Sequence, residues 1–519
     1  MKKRVALILA VLLLTMPFIG YGQAASEEPV VIEWLAQDGQ ATPDPESDIF
    51  KAVEERFNAK IDVWAIDMKT WDETLNVRLA TGDMPDVMRI NNRANIGKYV
   101  DMGILAEIPL EMIKEKAPSY WAMVEKYDVD HHVWPATTYN GKNYGFSGIR
   151  LDGTYPSIPI WRQDWLENVG ISSVPTTLAE FEEAIYKFRN DDPDKNGEKD
   201  TYGLSKNAFA MVFGAFGIYF DGTAGEGLNR PMLKDGKVVM TPIQPEAKEA
   251  LAYLAKWYQD GVIDPEFVTG ENKGGYWATS DALVNSRIGV TVGPSHYHYN
   301  PPYGEGDLGG TCYQNFMEIN PNGKIIEGTD IAGPGAVHFM PKQGYLAHSF
   351  GITTKAMADE RKVDTIFAML EEIYANDEYC VMVEWGTEGK QYFRDPVTND
   401  IKTTPGYDNV VARQEGLMVF NFVNSDPDVW KANLSQRFEY ADRVSKNMTS
   451  VPPPLVPATE EATQYSAALT KLTAEAIAQI ITGEKPIEYF DEFVEIYRAN
   501  GGDALETAMT NAYLSTQLN

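Results

Sequence analysis

Nine consecutive residues, Asp192-Pro193-Asp194-Lys195-Asn196-Gly197-Glu198-Lys199-Asp200, set oxygen-bearing side chains at alternate positions around a glycine. A hard cation such as Ca²⁺ takes several oxygen ligands at about 2.3–2.6 Å. This spacing turns Asp192, Asp194, Asn196 and Asp200 toward one centre. Gly197 permits the sharp turn, and Glu198 contributes from the seventh position through its carbonyl. The twelfth position, where such loops carry a bidentate glutamate, is Gly203, so that side of the ion needs water or a ligand from elsewhere. The same composition could make a polar turn whose aspartates cap backbone groups. The unbroken alternation directly after a capped helix favours calcium, in a structural rather than a catalytic role.

A second group of residues suits carbohydrate capture, which needs flat apolar faces for sugar C–H bonds and planar polar groups for hydroxyls. Candidates at strand ends and in loops are Trp34 with Gln37 and Asp38, Trp71, Arg162 beside Trp161, and His296 with Tyr297. Tyr345, Trp385, and Tyr392 with Arg394 extend the set. Any one of these aromatics could equally be core; Trp257, on a helical stripe, is read as core. His296 and His298 could share one strand face, but no HExxH accompanies them. No GxSxG elbow, phosphate-binding GxxxxGK[ST] or post-strand GxGxxG occurs. A glycosidase or lyase needs only two suitable carboxylates, and 75 acidic residues supply many pairs. A secreted polysaccharide-active enzyme therefore stands as the alternative to a binding protein that is not an enzyme.

The elements that must position these residues alternate. Val30–Leu35, Ile61–Ile66 and Asp86–Ile90 read as strands, separated by a helix opening at Asp44-Pro45 and one near Thr70–Thr81 that stops at Gly82. Such alternation predicts a parallel sheet covered by helices. The pattern restarts near Trp161: Thr177 and Glu180 form a capping box, a helix covers Pro245–Gln259, and Ile288–Val292 is a strand. His296–Asn322 reads as a long loop, Val363–Val383 as largely helical, and the last sixty residues as three helices broken at Gly483 and Gly501-Gly502. The Gly-, Pro- and Tyr-rich stretch Tyr139–Pro159 is a candidate hinge.

The start Met1-Lys2-Lys3-Arg4, the apolar run Val5–Met16 and the small residues Gly22-Gln23-Ala24 form a secretory signal over residues 1–24. Its apolar run is shorter than the roughly 20 residues a spanning helix needs, and no lipobox cysteine follows. The expected location is the periplasm or beyond the cell. About 495 residues remain, enough for two domains. The formal net charge of −30 favours solubility, repels nucleic acid and anionic membranes, and counts against a strongly anionic ligand unless a local basic pocket overrides it. Cys312 and Cys380 could pair outside the cytoplasm, although bonding needs α-carbons within about 7 Å.

Ala80-Thr81-Gly82-Asp83-Met84-Pro85-Asp86-Val87, Arg162-Gln163-Asp164-Trp165-Leu166, Val174-Pro175-Thr176-Thr177 with Phe181, and Gly386-Thr387-Glu388-Gly389-Lys390-Gln391-Tyr392 occur in order. With the ending from Thr482-Gly483-Glu484-Lys485-Pro486 to Asn511-Ala512-Tyr513, this set resembles family 1 extracellular solute-binding proteins of ABC importers. It is most similar to the large branch that includes alginate- and oligosaccharide-binding members, which carries a similar calcium loop. The resemblance implies a type II-like periplasmic-binding-protein fold: two hinge-linked α/β lobes with a helical C-terminal region, closing on a sugar as a monomer and presented to permease subunits. It places residues 25–155 and 333–394 in one lobe and 156–332 and 395–519 in the other, with crossings near Tyr155, Gly333 and Arg394. On that reading Trp34, Gln37 and Trp71 line one wall, and Arg162, His296 and Tyr297 the other.

Overall fold

The computed structural model describes residues 28–517 apart from 36–40, 68–69, 221–227, 269–280, 294, 304–306, 408 and 423–425. The signal segment and the pair Gln37 and Asp38 lie outside the described residues.

The first lobe is built on five strands in the order Ala59–Trp64, Val30–Leu35, Val87–Ile90, Leu346–Ile352, Phe146–Ile149. The first three run parallel, and Leu346–Ile352 lies antiparallel to both neighbours. Helices fill the crossovers for local reasons. Ser47 caps Asp48–Phe57 by accepting from the Phe50 N–H, and Asn58 ends that helix at φ 45°. Side chains alternate across a strand, so Ile32 and Trp34 point together into the core of this lobe, with Phe50, Phe350 and Phe420.

The second lobe carries four strands in the order Ile325–Glu327, Ile158–Arg162, Ile288–Gly293, Tyr202–Leu204. Its core joins Trp161, Trp165, Phe181 and Trp257 to C-terminal helices through Ile480, Phe490 and Tyr497. The expected capping box is present: Thr177 Oγ1 accepts from the Glu180 N–H at 3.2 Å, and Glu180 Oε2 accepts from the Thr177 N–H at 3.2 Å. The three closing helices are Glu460–Thr482, Tyr489–Tyr497 and Asp503–Gln517.

Three segments lie side by side where the lobes join. Ser157 N donates to Pro341 O at 2.9 Å, Gly344 N to Gly153 O at 2.9 Å, and Lys342 N to Val451 O at 3.1 Å. A Cβ on Gly153 would sit 2.0 Å from the Gly344 carbonyl oxygen, so this approach requires glycine. The later crossings differ from the sequence expectation. Gly333 still packs on Ala215 of the second lobe, and the chain returns to the first sheet only at Leu346. Val419, Phe420, Phe422 and Val429 then pack with Trp34, so the first lobe continues well past Arg394, to the helix Pro427–Asn433. The next helix, Ser435–Ser445, sits against the second lobe through Val444.

One further expectation changes, and one left open by the sequence is answered. His296–Asn322 is not all loop, because Thr311–Ile319 is a helix that buries Cys312 and Phe316. Cys312 and Cys380 are buried, unbridged thiols in separate cores.

Candidate functional site

In open α/β sheets ligands bind outside the carboxyl ends of the strands. Here Val87–Ile90 runs into Asn91–Arg93, and Ile288–Gly293 runs toward His296. The lobes meet at these ends. Arg150, directly after the strand Phe146–Ile149, donates through Nη2 to Tyr297 Oη at 2.9 Å. Asp152, in the first crossing and 4% exposed, binds Arg437 Nη2. Arg437 comes from the helix Ser435–Ser445 and lays its guanidinium 3.6 Å from the Tyr297 ring centroid and 5.0 Å from that of Trp430, a geometry suited to cation–π attraction. Tyr155 stands 5.0 Å from the His296 ring and donates to Asp442 Oδ1 at 2.8 Å. Lys402, from the hairpin of the first lobe, reaches Asp307 of the second at 3.0 Å.

Buried polar groups are nearly always hydrogen-bonded. Yet among the described residues Asn91 Oδ1, Asp152 Oδ1, both His296 ring nitrogens, Tyr303 Oη, Trp430 Nε1 and Arg437 Nε have no hydrogen-bond partner. Those of Asp152, His296, Trp430 and Arg437 lie together around the Tyr297 ring, a surface with polar capacity to spare. His296 Nε2 is 3.4 Å from Asp152 Oδ1, but burial pushes the imidazole down to about 3, which outweighs the upward pull of Asp152. The contact is therefore dipolar, not an ion pair, at neutral pH. His298 is pushed well below its usual value by the same cause.

A neutral buried histidine that the unfolded chain would protonate makes stability fall as pH falls. The unfolded chain takes up the proton near its ordinary value of 6.5, and folded His296 does so only at about 3. Between those limits each such group costs about 1.4 kcal/mol per pH unit. Urea unfolding at pH 7, 5.5 and 4.5 should show His296→Gln losing less stability on acidification than the parent. Equal slopes would refute the assignment.

Several residues expected at the site lie elsewhere. Trp34 is fully buried, donating through Nε1 to Val419 O at 3.0 Å. Trp71 is 5% exposed within the same lobe. Arg162 is spent internally on Asp164 at 2.7 and 2.9 Å, on Ser286 at 2.8 Å, and against the Trp165 ring. These three belong to packing, which corrects their assignment as ligand walls. Tyr392 is buried in its hairpin, and Arg394 donates to Asn433 Oδ1 at 2.9 Å. Tyr345 donates to Asp128 Oδ1 at 2.6 Å. The structure does gather His296, Tyr297 and, through Trp430 at 5.9 Å, Trp385. It adds Arg150, Asp152, Tyr303, Trp430 and Arg437. Of these, Arg150 and Asp152 fall in the stretch singled out as a hinge and Tyr303 in the long segment His296–Asn322, and Trp430 and Arg437 had no local signal.

The Asp192–Asp200 loop is a separate feature, at the end of the helix Leu178–Asn190. Asn196 Nδ2 donates to Asp194 Oδ2 at 3.1 Å and to the Asp200 oxygens at 3.3 and 3.1 Å. Asp192 accepts from the Asn196 and Gly197 N–H groups at 3.1 and 3.0 Å. Asp194 Oδ1 is buried and unpartnered. Desolvation, then Asp192 and Asp200, raise the Asp194 carboxyl above its ordinary value. Gly203 is fixed by packing: a Cβ there would lie 2.5 Å from Ile185 Cβ, so a twelfth-position glutamate has no room. Among the described residues no group of three or more His, Cys, Asp or Glu stands ready-made as a metal site.

Residues 48–297 match the model of the bacterial extracellular solute-binding protein family. Those residues carry a domain of that family. The solute-binding protein is 23% identical over 492 residues to lipoprotein LipO of Bacillus subtilis, covering 92% of this chain and 90% of LipO. It is 22% identical over 504 residues to the polygalacturonan/rhamnogalacturonan-binding protein YtcQ of the same species, covering 93% and 91%. Its fold matches that of the Streptococcus pneumoniae ABC-transporter substrate-binding protein FusA in complex with kestose, with TM-score 0.70, 17% identity, and 94% and 100% of the two chains covered. FusA has also been solved as an EF-hand mutant with fructo-nystose. Among the described residues of the solute-binding protein, no helix is long and apolar enough to cross a membrane.

Proposed function

We propose that this protein captures an oligosaccharide between its two lobes and hands it, chemically unchanged, to the permease subunits of an ABC importer after export through the signal at residues 1–24. The seam carries the reading. Aromatic faces at Tyr297 and Trp430 lie beside unpartnered buried polar atoms contributed by both lobes, the combination that sugar hydroxyls and C–H faces require. The sugars named for YtcQ and FusA support the same ligand class. The contacts of Arg150 with Tyr297 and of Lys402 with Asp307 cross between the lobes and support closure around a ligand. A thermal-shift screen against neutral and acidic oligosaccharides tests it. A true ligand at 100 times its dissociation constant should add about 2.7 kcal/mol, compact the protein in X-ray scattering, and be recovered with its mass unaltered. A shortened product would establish the enzyme instead.

We further propose that Asp192, Asp194, Asn196, Asp200 and the Glu198 carbonyl hold a structural Ca²⁺. The carboxylates of Asp192, Asp194 and Asp200 crowd one loop, the Asp194 Oδ1 is without a partner among the described residues, and Gly197 has the positive φ of 83° that the turn needs. The EF-hand named for FusA supports it. Chelator should lower the melting temperature of the parent and leave that of Asp194→Ala unmoved; a parent insensitive to chelator and to added calcium refutes the site.

A further inference from the structure

Beside the seam stands a second pair of rings. His132 and Tyr345 are half-buried, with planes parallel to within 1° and centroids 5.8 Å apart. Parallel rings at that separation are slipped past one another, so neither covers the other's face. The pair adjoins the site already described. The Arg150 N–H donates to the Tyr345 carbonyl at 2.6 Å, while the Arg150 side chain reaches Tyr297 at 2.9 Å. One residue therefore links these rings to those around Arg437.

The way the pair is held goes beyond packing. Asp128 follows the helix Pro118–Tyr127 and is 5% exposed. One of its oxygens accepts from the His132 N–H at 2.7 Å and from the Tyr345 hydroxyl at 2.6 Å. The other accepts from the Val133 N–H at 2.9 Å. A buried carboxylate needs such partners, and here each of them fixes either the loop that carries His132 or the ring opposite. His131, in that loop, takes φ 56°, a left-handed backbone that residues other than glycine seldom adopt. Strain of this kind persists where neighbouring contacts over-determine it, and it collects at binding sites. Val129, Asp130 and His131 are exposed, so the loop tip is open to solvent. Burial lowers the proton affinity of His132 against the pull of Asp130 and Asp128, which keeps the imidazole neutral at pH 7. A ring pair that only packed against its lobe would need neither the buried carboxylate nor the strained loop.

We propose that His132 and Tyr345 form an outer sugar platform, which takes a ring of the oligosaccharide that projects from the seam along the first lobe. It thereby sets the shortest chain that the protein binds well. Asp128 is its positioning residue. This rests on the carbohydrate reading above and adds to it a site and a length preference. Flat, uncharged, half-exposed faces suit the C–H side of a sugar ring whatever the charge of its substituents.

Calorimetry on the full mature protein tests the platform, with malto-, xylo-, manno- and galacturonate oligosaccharides, each from the disaccharide to the hexasaccharide. In a series that binds, affinity should step up by about tenfold at one chain length. His132→Ala should melt with the parent and remove the step, leaving the shorter chains bound as before. His132→Phe keeps a ring and should restore it. Asp128→Asn should lose the step while still binding the shorter chains as the parent does. Equal losses for short and long chains would assign the pair to the framework of the lobe and refute the platform. A bound series without a step, or a step that survives His132→Ala, would refute it as well. Failure of every series to bind would overturn carbohydrate capture itself, and the platform with it.

Discussion

Arg437→Met should destabilise the protein by about 3–5 kcal/mol and abolish ligand binding. Asp152 is nearly sealed, with 1% of its side chain exposed against 18% for Arg437, and Arg437 is the cation that binds its second oxygen. Removing one member of a buried pair costs that much because the survivor's charge stays out of water uncompensated. The stacking on Tyr297 and the contact with Trp430 are lost as well. Asp152→Asn in the same chain should recover much of the stability, since a neutral amide needs no counter-charge, and the double-mutant cycle should give a coupling of 1–3 kcal/mol. It should not recover binding. His296 supplies a second readout. Arg437 lowers its proton affinity and Asp152 raises it, so NMR titration should show the ring moving upward from about 3 in Arg437→Met. A stability loss under 1 kcal/mol, with His296 unmoved, would mean the two groups are not coupled.

Much of the framework was legible because local rules and the final fold agree. Val30–Leu35, Pro245–Gln259 and the capping box at Thr177 stand where periodicity and capping put them, and the closing helices break at Gly483 and Gly501 with φ of 77° and 105°. The walls of the site were less legible. Trp34 looks like a platform from its place near a strand end, but the alternation that identified its strand also puts it on the buried face with Ile32. Arg162 looks available until Asp164, two residues on, folds back onto it. Conversely Asp152 and Arg437 are 285 residues apart in the chain and acquire their meaning only where the first crossing meets the helix Ser435–Ser445.

Trp161→Ala should cost about 3–5 kcal/mol, the usual range for removing a fully buried tryptophan, and the loss should be confined at first to the second lobe. Trp161 has no exposed surface. It meets Phe181 edge-on at 5.5 Å and Phe188 at 6.2 Å, and Gly328 lies so close that a Cβ there would be 2.6 Å from Nε1. Its own strand cannot shift into the vacated volume, because it is pinned to both neighbours by the registers Val290↔Trp161 and Ile326↔Trp161. A cavity that cannot collapse carries the larger penalty. Unfolding followed by fluorescence and circular dichroism should split into two transitions, the first lobe keeping its own core around Trp34, Phe350 and Phe420. Phe181 and Phe188 lie on the helix that leads into the Asp192–Asp200 loop. If calcium holds that loop, saturating it at 100 times its dissociation constant should return about 2.7 kcal/mol to the weakened lobe and draw the two transitions together. A single transition, unmoved by calcium, would show that neither the lobes nor the loop behave as separable units.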